Sequence, residues 1–433
     1  MRSIETEQLN RSYVSPNDDN IHGETDSQFI QNAVDHAAKC LIDKVIIPRY
    51  NRRTGTMKWV IDSTIYLPSG MTVVLDHCYL TLAAGAKCNV FANANIHTAI
   101  GKTLQGEQTD IAILGLGNAV IDGGEYNGLS QSTSLKNGNP HISKNTPILF
   151  SNVNRFKISG LRVINQRFWG MTFLFCRNGK ISDIDFQADL SRIDENGIRY
   201  PDQLPLSYDE IYIKNADGVD LRVGCNNITI ENITGITEDD TVALTALIGK
   251  NFESQLLVEG KDTDIHDVMI RNVRADCYVC ATVRLLCADG NKVYNILIDG
   301  VFDESDYELA RNRNTHATIR LNDRAYVNLR KAEPGDMRDI IINNVISRAY
   351  NAVSLSTAVR NVQINNIILC GPAKYAVANL HQGVYENISV RGIIHTNPSD
   401  DCAAVRLVDC TCENIHVSDV ITPGLKNITQ ESK

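Results

Sequence analysis

Four aspartates between positions 217 and 240 form the pattern with the clearest chemical potential. Asp217 and Asp220 lie in Asn-Ala-Asp-Gly-Val-Asp, and Asp239 and Asp240 follow in Glu-Asp-Asp-Thr. Carboxylates held close together repel one another, so the pKa of at least one of them rises while a neighbour stays ionised. One group can then donate a proton and another accept one, which favours general acid–base chemistry if the fold brings the two segments together.

A repeated template indicates the fold that could do this. Two β-branched or aliphatic positions two residues apart are followed by a polar pair and another apolar residue, and the starts of the seven copies are separated by 40, 28, 44, 22, 26 and 27 residues. Intervals in the twenties suit one coil of a parallel β-helix, and the longer ones fit a coil with an inserted loop or two coils. Leucine-rich repeats would add a helix per repeat, and propeller blades are closer to 40 residues. The copies are 228–233, 268–273, 296–301, 340–345, 362–367, 388–393 and 415–420, with a weaker one at 156–161.

Asparagine usage supports this interpretation. The chain has 41 asparagines, almost as many as its 42 lysines and arginines together. Asparagine tolerates left-handed backbone and bonds within turns, so we expect its side chains to join neighbouring coils at the polar pair. The segment of about 26–40 predicts a capping helix with Asp26 as N-cap and with Phe29, Ile30, Ala33, Val34 and Ala37 on one face. The predicted organisation is a polar arm at 1–22, a β-helix domain at 23–424 and a loose tail at 425–433.

Composition narrows the class of protein. The chain has 433 residues, 43% hydrophobic and 21% charged, and a formal charge of −9, which argues against nucleic acid or anionic lipid as a partner. It has no apolar run long enough to span a membrane and no secretory h-region at its start, so we expect a cytoplasmic protein, or a secreted one if a leader has been removed. Its twelve cysteines lack zinc-ligand spacing and are expected to be reduced core residues, and we expect no metal or other cofactor. A homo-oligomer is compatible with this composition.

The aspartate pattern and the coil length fit each other. Equivalent residues in adjacent coils lie about 4.8 Å apart. Asp217 and Asp239 are 22 residues apart, so the spacing predicts that they stack, with Asp220 and Asp240 beside them.

Three short motifs resemble glycoside hydrolase family 28, the polygalacturonase and rhamnogalacturonase family of right-handed parallel β-helices. Asn215-Ala-Asp217 is similar to the family's Asn-Thr-Asp, Asp239-Asp240 matches its Asp-Asp, and Val283-Arg284-Leu285-Leu286 stands where Arg-Ile-Lys is expected. The resemblance implies an all-β fold, a single-stranded right-handed parallel β-helix with an N-terminal capping α-helix. It also implies an inverting glycosidase acting on a pectin-like or related saccharide.

The resemblance carries roles to individual residues. Asp239 would be the general acid, Asp217 with Asp240 would activate water, and Arg284 would orient the substrate. Asp220 would also contact the substrate, unless it is only a turn former. The chain has no Gly-His-Gly, so Lys250 or His266 would stand in for the absent histidine, and Leu286 replaces the family's lysine. Because leucine cannot hold a sugar carboxylate, we expect the sugar at the cleaved bond to be neutral or differently charged.

Two other functions fit the same fold. In a polysaccharide lyase or epimerase, the acidic cluster would bind Ca²⁺ and Arg284 or Arg320 would abstract a proton. In a non-catalytic carbohydrate-binding β-helix, the carboxylates would have no chemical role, and Trp59 or Trp169 would stack on sugars or fill the core.

Overall fold

The chain coils into a parallel β-helix. This computed structural model describes residues 12–129, 142–248, 252–305, 314–323, 329–422 and 425–431. In these ranges, 25 strands join in one continuous ladder, and a separate two-stranded hairpin lies outside it. The predicted parallel β-helix is confirmed.

The ladder folds into three stacks of parallel strands, which each coil crosses in turn. The first stack is formed by β1 (Lys44–Pro48), β4 (Thr72–Asp76), β7 (Gln108–Leu116), β10 (Val153–Ile164), β12 (Arg177–Gln187), β16 (Asn226–Thr237), β18 (Ile265–Cys277), β20 (Val293–Asp303), β22 (Met337–Ser347), β23 (Asn351–Leu369), β24 (Tyr375–His395) and β26 (Thr411–Val420). The second is formed by β2 (Trp59–Ile61), β5 (Tyr79–Leu82) and β8 (Val120–Asp122), followed by the carboxyl-terminal parts of β10 and the later long strands.

The third stack carries the candidate site. It comprises β3 (Ile65–Leu67), β6 (Phe91–Asn93), β9 (Ile148–Ser151), β11 (Met171–Leu174), β15 (Val219–Arg222), β17 (Val242–Ala246), β19 (Val279–Cys287), β21 (Asn314–Leu321), the first parts of β23 and β24, β25 (Ala403–Val408) and β27 (Lys426–Glu431). The separate hairpin pairs β13 (Arg192–Ile193) with β14 (Arg199–Tyr200).

The copies of the predicted repeat pair with one another in the observed strand register. Ile228 is opposite Val268, which is opposite Ile296, and Ile296 is opposite Ile340. The intervals of 40 and 44 residues are therefore single coils with insertions, not pairs of coils. One copy was missed, at 179–184, because it begins with Gly179 where the other copies have an apolar residue.

Like residues stack inside the helix. Ile230, Ile270, Ile298, Ile342 and Ile364 are opposite one another in consecutive coils, and each is fully buried. The core is thus a series of aliphatic rows, as expected when every other side chain of a strand points inward.

Asparagines form side-chain ladders along the outside. Asn232 has a φ of 57° and Asn272 a φ of 51°, and the Nδ2 of Asn272 donates to the Oδ1 of Asn232 at 3.2 Å. A second ladder, one residue before the template, runs from Asn361 to Asn387 and Asn414, with bonds of 2.9 Å. The excess of asparagine thus has a structural origin, because few other side chains occupy left-handed backbone at low cost.

The capping helix α1 spans Asp26–Lys39, and its buried face includes Ile30, Ala33, Val34 and Ala37. The prediction that Asp26 is the N-cap is wrong: Thr25 is the N-cap, and its side chain accepts from the backbone N–H of Gln28. Asp26 is instead buried, and it accepts hydrogen bonds from Arg53, from Asn51 and from the backbone of Val60.

Both chain ends differ from the simple arm and tail that we predicted. Val14 bridges to Val45 and Ile21 is buried, so residues 12–22 lie against the first coils; residues 1–11 are outside the described part. Lys426–Glu431 forms β27, paired with β25, so the last coil extends into the segment predicted as a tail. Within the described ranges, no helix combines the length and apolarity needed to cross a bilayer.

Candidate active site

The four aspartates meet at the turn between the second and third stacks. Asp217 precedes β15, and Asp239 and Asp240 lie between β16 and β17. The backbone N–H of Gly218 donates to the carbonyl of Asp240 at 2.9 Å, so the two turns are in direct contact. The long segment between β12 and β15, which includes the β13–β14 hairpin and a 3-10 helix at Tyr208–Glu210, is inserted immediately before Asp217.

The register departs from the predicted stack of Asp217 on Asp239. Val219 is opposite Val242, an offset of 23 residues, which aligns Asp217 with Asp240. On the other side of the turn, the N–H of Glu238 donates to the carbonyl of Ala216, so the later coil has additional residues here. This local irregularity brings Glu238, Asp239 and Asp240 together around Asp217.

Asp239 is the most exposed of the four aspartates, although its exposed fraction is only 9%. One carboxylate oxygen accepts from the side-chain amide of Asn215 at 3.2 Å, and the other accepts from the backbone N–H of Asp240 at 3.0 Å. Burial, and then the charge of Asp240, raise the pKa of Asp239 to about 7, against the opposing charge of Arg284. Asp239 can therefore carry a proton at neutral pH and below.

Asp240 pairs with the guanidinium of Arg284. Its Oδ2 lies 3.3 Å from Nη1 of Arg284, and its Oδ1 accepts from the backbone N–H of Ala281 at 3.2 Å. Burial raises the pKa of Asp240, and the Arg284 guanidinium opposes that shift. Asp240 is thus the carboxylate that its surroundings best equip to stay ionised.

Arg284 belongs to a small ionic network on adjacent coils. Arg284 and Arg320 are opposite each other in β19 and β21, and both bind Oδ2 of Asp323, at 3.2 and 2.8 Å. The two guanidinium groups are largely buried beside the carboxylates. They supply positive charge at the edge of the cluster.

Asp217 lacks such support. Within the described part of the chain, its Oδ1 has no hydrogen-bond partner, and its side chain is buried. Burial, and then the charges of Asp220 and Asp239, hold the pKa of Asp217 well above its usual range. Asp220 is fully buried in β15, 3.8 Å from Nη1 of Arg222, so it is not a turn residue and has no surface exposed to a substrate. Its charge is one cause of the raised pKa of Asp217.

Of the two predicted stand-ins for the absent histidine, the structure describes one. Lys250 falls outside the described residues. His266 lies at the start of β18, where Nδ1 is 2.7 Å from Asp267 and the ring stacks on Tyr294 at 4.9 Å. Its partners thus belong to the first stack, and nothing in its contacts supports a role as the missing histidine.

Two nearby residues escaped the sequence analysis. Glu238 is fully buried; one oxygen accepts from the N–H of Ala216 at 3.1 Å, and burial raises its pKa well above the usual value. Tyr208 lies near enough for the charges of Glu238, Asp239 and Asp217 to raise its pKa, with burial as the larger cause. Glu238 immediately precedes the Asp-Asp pair and could have been found by its position, whereas Tyr208 lies in an insertion without a template.

Leu286 and the cysteines complete the surroundings. Leu286 is buried with Leu247 and Ala288, so it offers no contact to a sugar carboxylate. Single ligand atoms of Asp239, Asp240 and Cys280 lie within 4.8 Å of one another. Burial keeps the pKa of the Cys280 thiol high, and this donor set with a thiol does not fit Ca²⁺, which takes six to eight oxygens.

Comparison with known proteins agrees with this architecture. Residues 60–255 match the family model of glycosyl hydrolases family 28. The mannuronan C-5 epimerase AlgE6 A-module of Azotobacter vinelandii superposes with a TM-score of 0.57 at 11% identity, over 94% of this chain and 98% of that one. The surface adhesin PfbA of Streptococcus pneumoniae gives 0.54 at 15%, over 96% and 93%. A hyperthermoactive exopolygalacturonase of Thermotoga maritima gives 0.51 at 14%, over 92% and 95%.

These structures share the fold, but one is an epimerase, one an adhesin and one a polygalacturonase. No curated protein matched the chain in sequence. The segment that matches the family contains Asp217, Asp239 and Asp240. Residues 60–255 are therefore similar to the glycosyl hydrolases family 28, and the chain folds as a pectin-lyase-like parallel β-helix.

Proposed function

We propose that the protein hydrolyses a glycosidic bond in a pectin-like or related saccharide, with Asp239 as the general acid and Asp217 together with Asp240 as the base that activates water. This proposal rests on one observation: the adjacent buried carboxylates have different hydrogen-bond and ion-pair partners. Asp239 is held by an amide and a backbone N–H, whereas Asp240 is held by a guanidinium. Such a difference separates the protonated group from the ionised one.

The acid role suits Asp239 because its proton is retained near neutral pH. A pKa of about 7 lets the carboxyl donate to the leaving oxygen without a large energetic penalty. Its greater exposure also makes it the aspartate that a bound saccharide reaches first.

The base role is shared. Asp240 is engaged by Arg284 and Ala281, whereas Asp217 has an oxygen without a partner in the described structure. Asp240, which Arg284 helps to keep ionised, is thus the member of the pair that takes a proton from water, and Asp217 beside it offers its partnerless oxygen to hold that water. Arg284 and Arg320 balance the negative charge that builds up as these groups ionise, and Arg284 orients the substrate.

The proposed stereochemistry is inversion, in which water attacks the face of the sugar opposite the leaving group. Proton NMR of the first product identifies its anomeric form directly. Net retention would remove the water-activating role proposed for Asp217.

The decisive experiment compares the wild type with Asp239→Asn on a panel of pectin-derived and related oligosaccharides, with product analysis by mass spectrometry. We expect the substitution to lower kcat about 10²- to 10⁴-fold, as for loss of a general acid. Asp209→Asn is the matched control, because Asp209 lies in the insertion that precedes Asp217 and its side chain is 99% exposed. Equal rates in the wild type and Asp239→Asn would exclude the acid assignment.

The same panel of oligosaccharides distinguishes hydrolysis from the two other functions. An unsaturated product that absorbs in the ultraviolet would indicate a lyase. Saccharide binding with no product from the wild type would indicate a non-catalytic β-helix. The buried carboxylates favour a catalytic function over mere binding, since pKa values perturbed by burial and specific partners are typical of catalytic sites. The thiol in the possible donor set disfavours a lyase that depends on Ca²⁺.

A further inference from the structure

A cavity lies beside the aspartate cluster, toward the N-terminal end of the β-helix. It has a volume of about 560 Å³ and lies between the first coils and the β13–β14 hairpin. The charged and aromatic side chains that line it include Lys58, Asp122, Glu125, Tyr126, Arg199 and Tyr212. None of them belongs to the proposed acid–base machinery.

The cavity continues the line of the aspartates along the solenoid. The N–H of Asn165 donates to Gln187, and that of Ala188 donates to Ile236, so Asn165, Ala188 and Thr237 occupy equivalent positions in three successive coils. Asn165 lines the cavity, and Thr237 directly precedes Glu238. At about 4.8 Å per coil, the cavity is roughly 10 Å from the aspartates.

Two tyrosines form an aromatic wall. The rings of Tyr126 and Tyr212 meet edge to face, with centroids 5.6 Å apart. They pack against a small apolar cluster that includes Ala188, Ile213 and Ala216, and both line the cavity. Ala216 is the neighbour of Asp217, so this wall and the candidate base belong to one packed unit.

The polar lining is held in place. Asp122 accepts from the hydroxyl of Tyr79 at 2.7 Å, from the amide of Asn165 at 2.9 Å and from the N–H of Gly124 at 2.8 Å. Glu125 is exposed at the cavity, which leaves its carboxylate available as an acceptor. The site thus combines fixed and free hydrogen-bonding groups with aromatic surface, as small-molecule sites do.

A buried cation lies under the cavity floor. Arg167 is 1% exposed, and within the described structure its Nε and Nη2 have no hydrogen-bond partner. A Cβ added to Gly124 would lie 3.2 Å from Nη2, so the guanidinium sits directly beneath this lining residue. Its Nη1 donates to the carbonyl of Ala86 at 3.0 Å, and within the described structure no carboxylate pairs with it. The hydroxyl oxygens of a ligand bound above the guanidinium would therefore be oriented by its charge.

The charges indicate the class of ligand. Lys58, Arg167 and Arg199 are cationic, and Asp122, Glu125 and Asp189 are anionic, so the formal charges cancel. Arg199 also lies 2.5 Å from Asp189. A cavity with no net charge, an aromatic wall and both donors and acceptors suits hydroxyl groups better than a carboxylate or a phosphate.

We propose that this cavity binds a neutral sugar unit of the saccharide whose bond is cleaved at the aspartates. The inference rests on the proposed function and adds a specificity site to it. One saccharide would thread from the cleavage point to the cavity, so substrates that carry neutral sugars at that distance would be preferred.

The test is isothermal titration calorimetry on the Asp239→Asn protein with three hexasaccharides, from galactan, from arabinan and from polygalacturonate. We expect a neutral hexasaccharide to bind, and the Tyr126→Ala, Tyr212→Ala pair of substitutions to raise its Kd about tenfold, since two aromatic contacts are lost. Replacing both tyrosines by phenylalanine should keep most of the affinity.

The matched control is Tyr350→Ala, because Tyr350 forms a similar edge-to-face pair with Tyr375, at 5.7 Å, outside the cavity. It should leave the Kd unchanged. Glu125→Ala provides a second variant at an exposed position if the alanine pair fails to fold, and it should also weaken binding.

The outcomes separate this inference from the proposed function. No binding of either neutral hexasaccharide, or an unchanged Kd in the tyrosine and Glu125 variants, would overturn the sugar site even if the wild type hydrolyses its substrate. Binding that depends on the tyrosines, with no hydrolysis by the wild type, would overturn only the catalytic proposal.

Discussion

Replacing the proposed acid should stabilise the fold while it removes activity. Asp239 is buried, and its pKa is raised from 3.8 to about 7. Between these values the folded protein keeps a proton that the unfolded chain has lost. Stability therefore falls as the pH rises through this window, and Asn, which never ionises, avoids that loss.

The magnitude follows from the shift. Three units of pKa at 1.36 kcal/mol each correspond to about 4 kcal/mol. This is an upper value for Asp239→Asn at pH 8, because Asp217 and Glu238 are also perturbed and titrate together with Asp239. Below about pH 4, both proteins carry a neutral side chain here and should be equally stable.

The assay is urea unfolding of the wild type and Asp239→Asn at pH 4, 6 and 8. The difference in the free energy of unfolding should be near zero at pH 4 and should favour the variant increasingly toward pH 8. Asp209→Asn should show no such trend, since that side chain is exposed. A variant that is less stable than the wild type at pH 8, in spite of correct folding, would refute the view that Asp239 is held under electrostatic strain.

Three further predictions concern the same groups and the fold around them. The rate kcat should fall above about pH 7, about tenfold per unit, because Asp239 must be protonated to act; a rate that stays level up to pH 9 would contradict this. Asn272→Ala should cost about 1 kcal/mol in urea unfolding and Asn272→Gly less, because the backbone there is left-handed, with φ of 51°. Ile298→Ala should cost 2 to 5 kcal/mol, about as much as other buried aliphatic truncations, since Ile298 is fully buried between Ile270 and Ile342; a loss below 1 kcal/mol would show that the stack closes around the cavity.

The sequence was sufficient for the repeating part of the fold. A template with period-two apolar positions recurs because each coil must present the same inward row, and it predicted the register of Ile228, Val268 and Ile296. The copy at Gly179 was hidden because Phe156 of the preceding coil fills the space that a side chain at Gly179 would occupy. The packing of one coil can thus erase the signature of the next.

The site was less predictable, since it lies where the repeat is broken. The offset of 23 residues and the additional residues at Glu238 depend on backbone hydrogen bonds across one turn, which no side-chain pattern specifies. His266 was considered because it is a histidine near the expected position, but its partners are Asp267 and Tyr294. Chemical type alone did not reveal which face of the coil a residue occupies.

The position of the aspartate cluster in the middle of the solenoid explains how the fold tolerates repulsion among its carboxylates. In a repeat structure, each coil is stabilised mainly by contacts with its two neighbours. The aspartates and their arginines come from β15, β17, β19 and β21 and the turns that precede or follow them, so intact coils lie on both sides. Several kcal/mol of repulsion can be held there because the aliphatic rows above and below stay unbroken, whereas the same cluster in a terminal coil would open that coil.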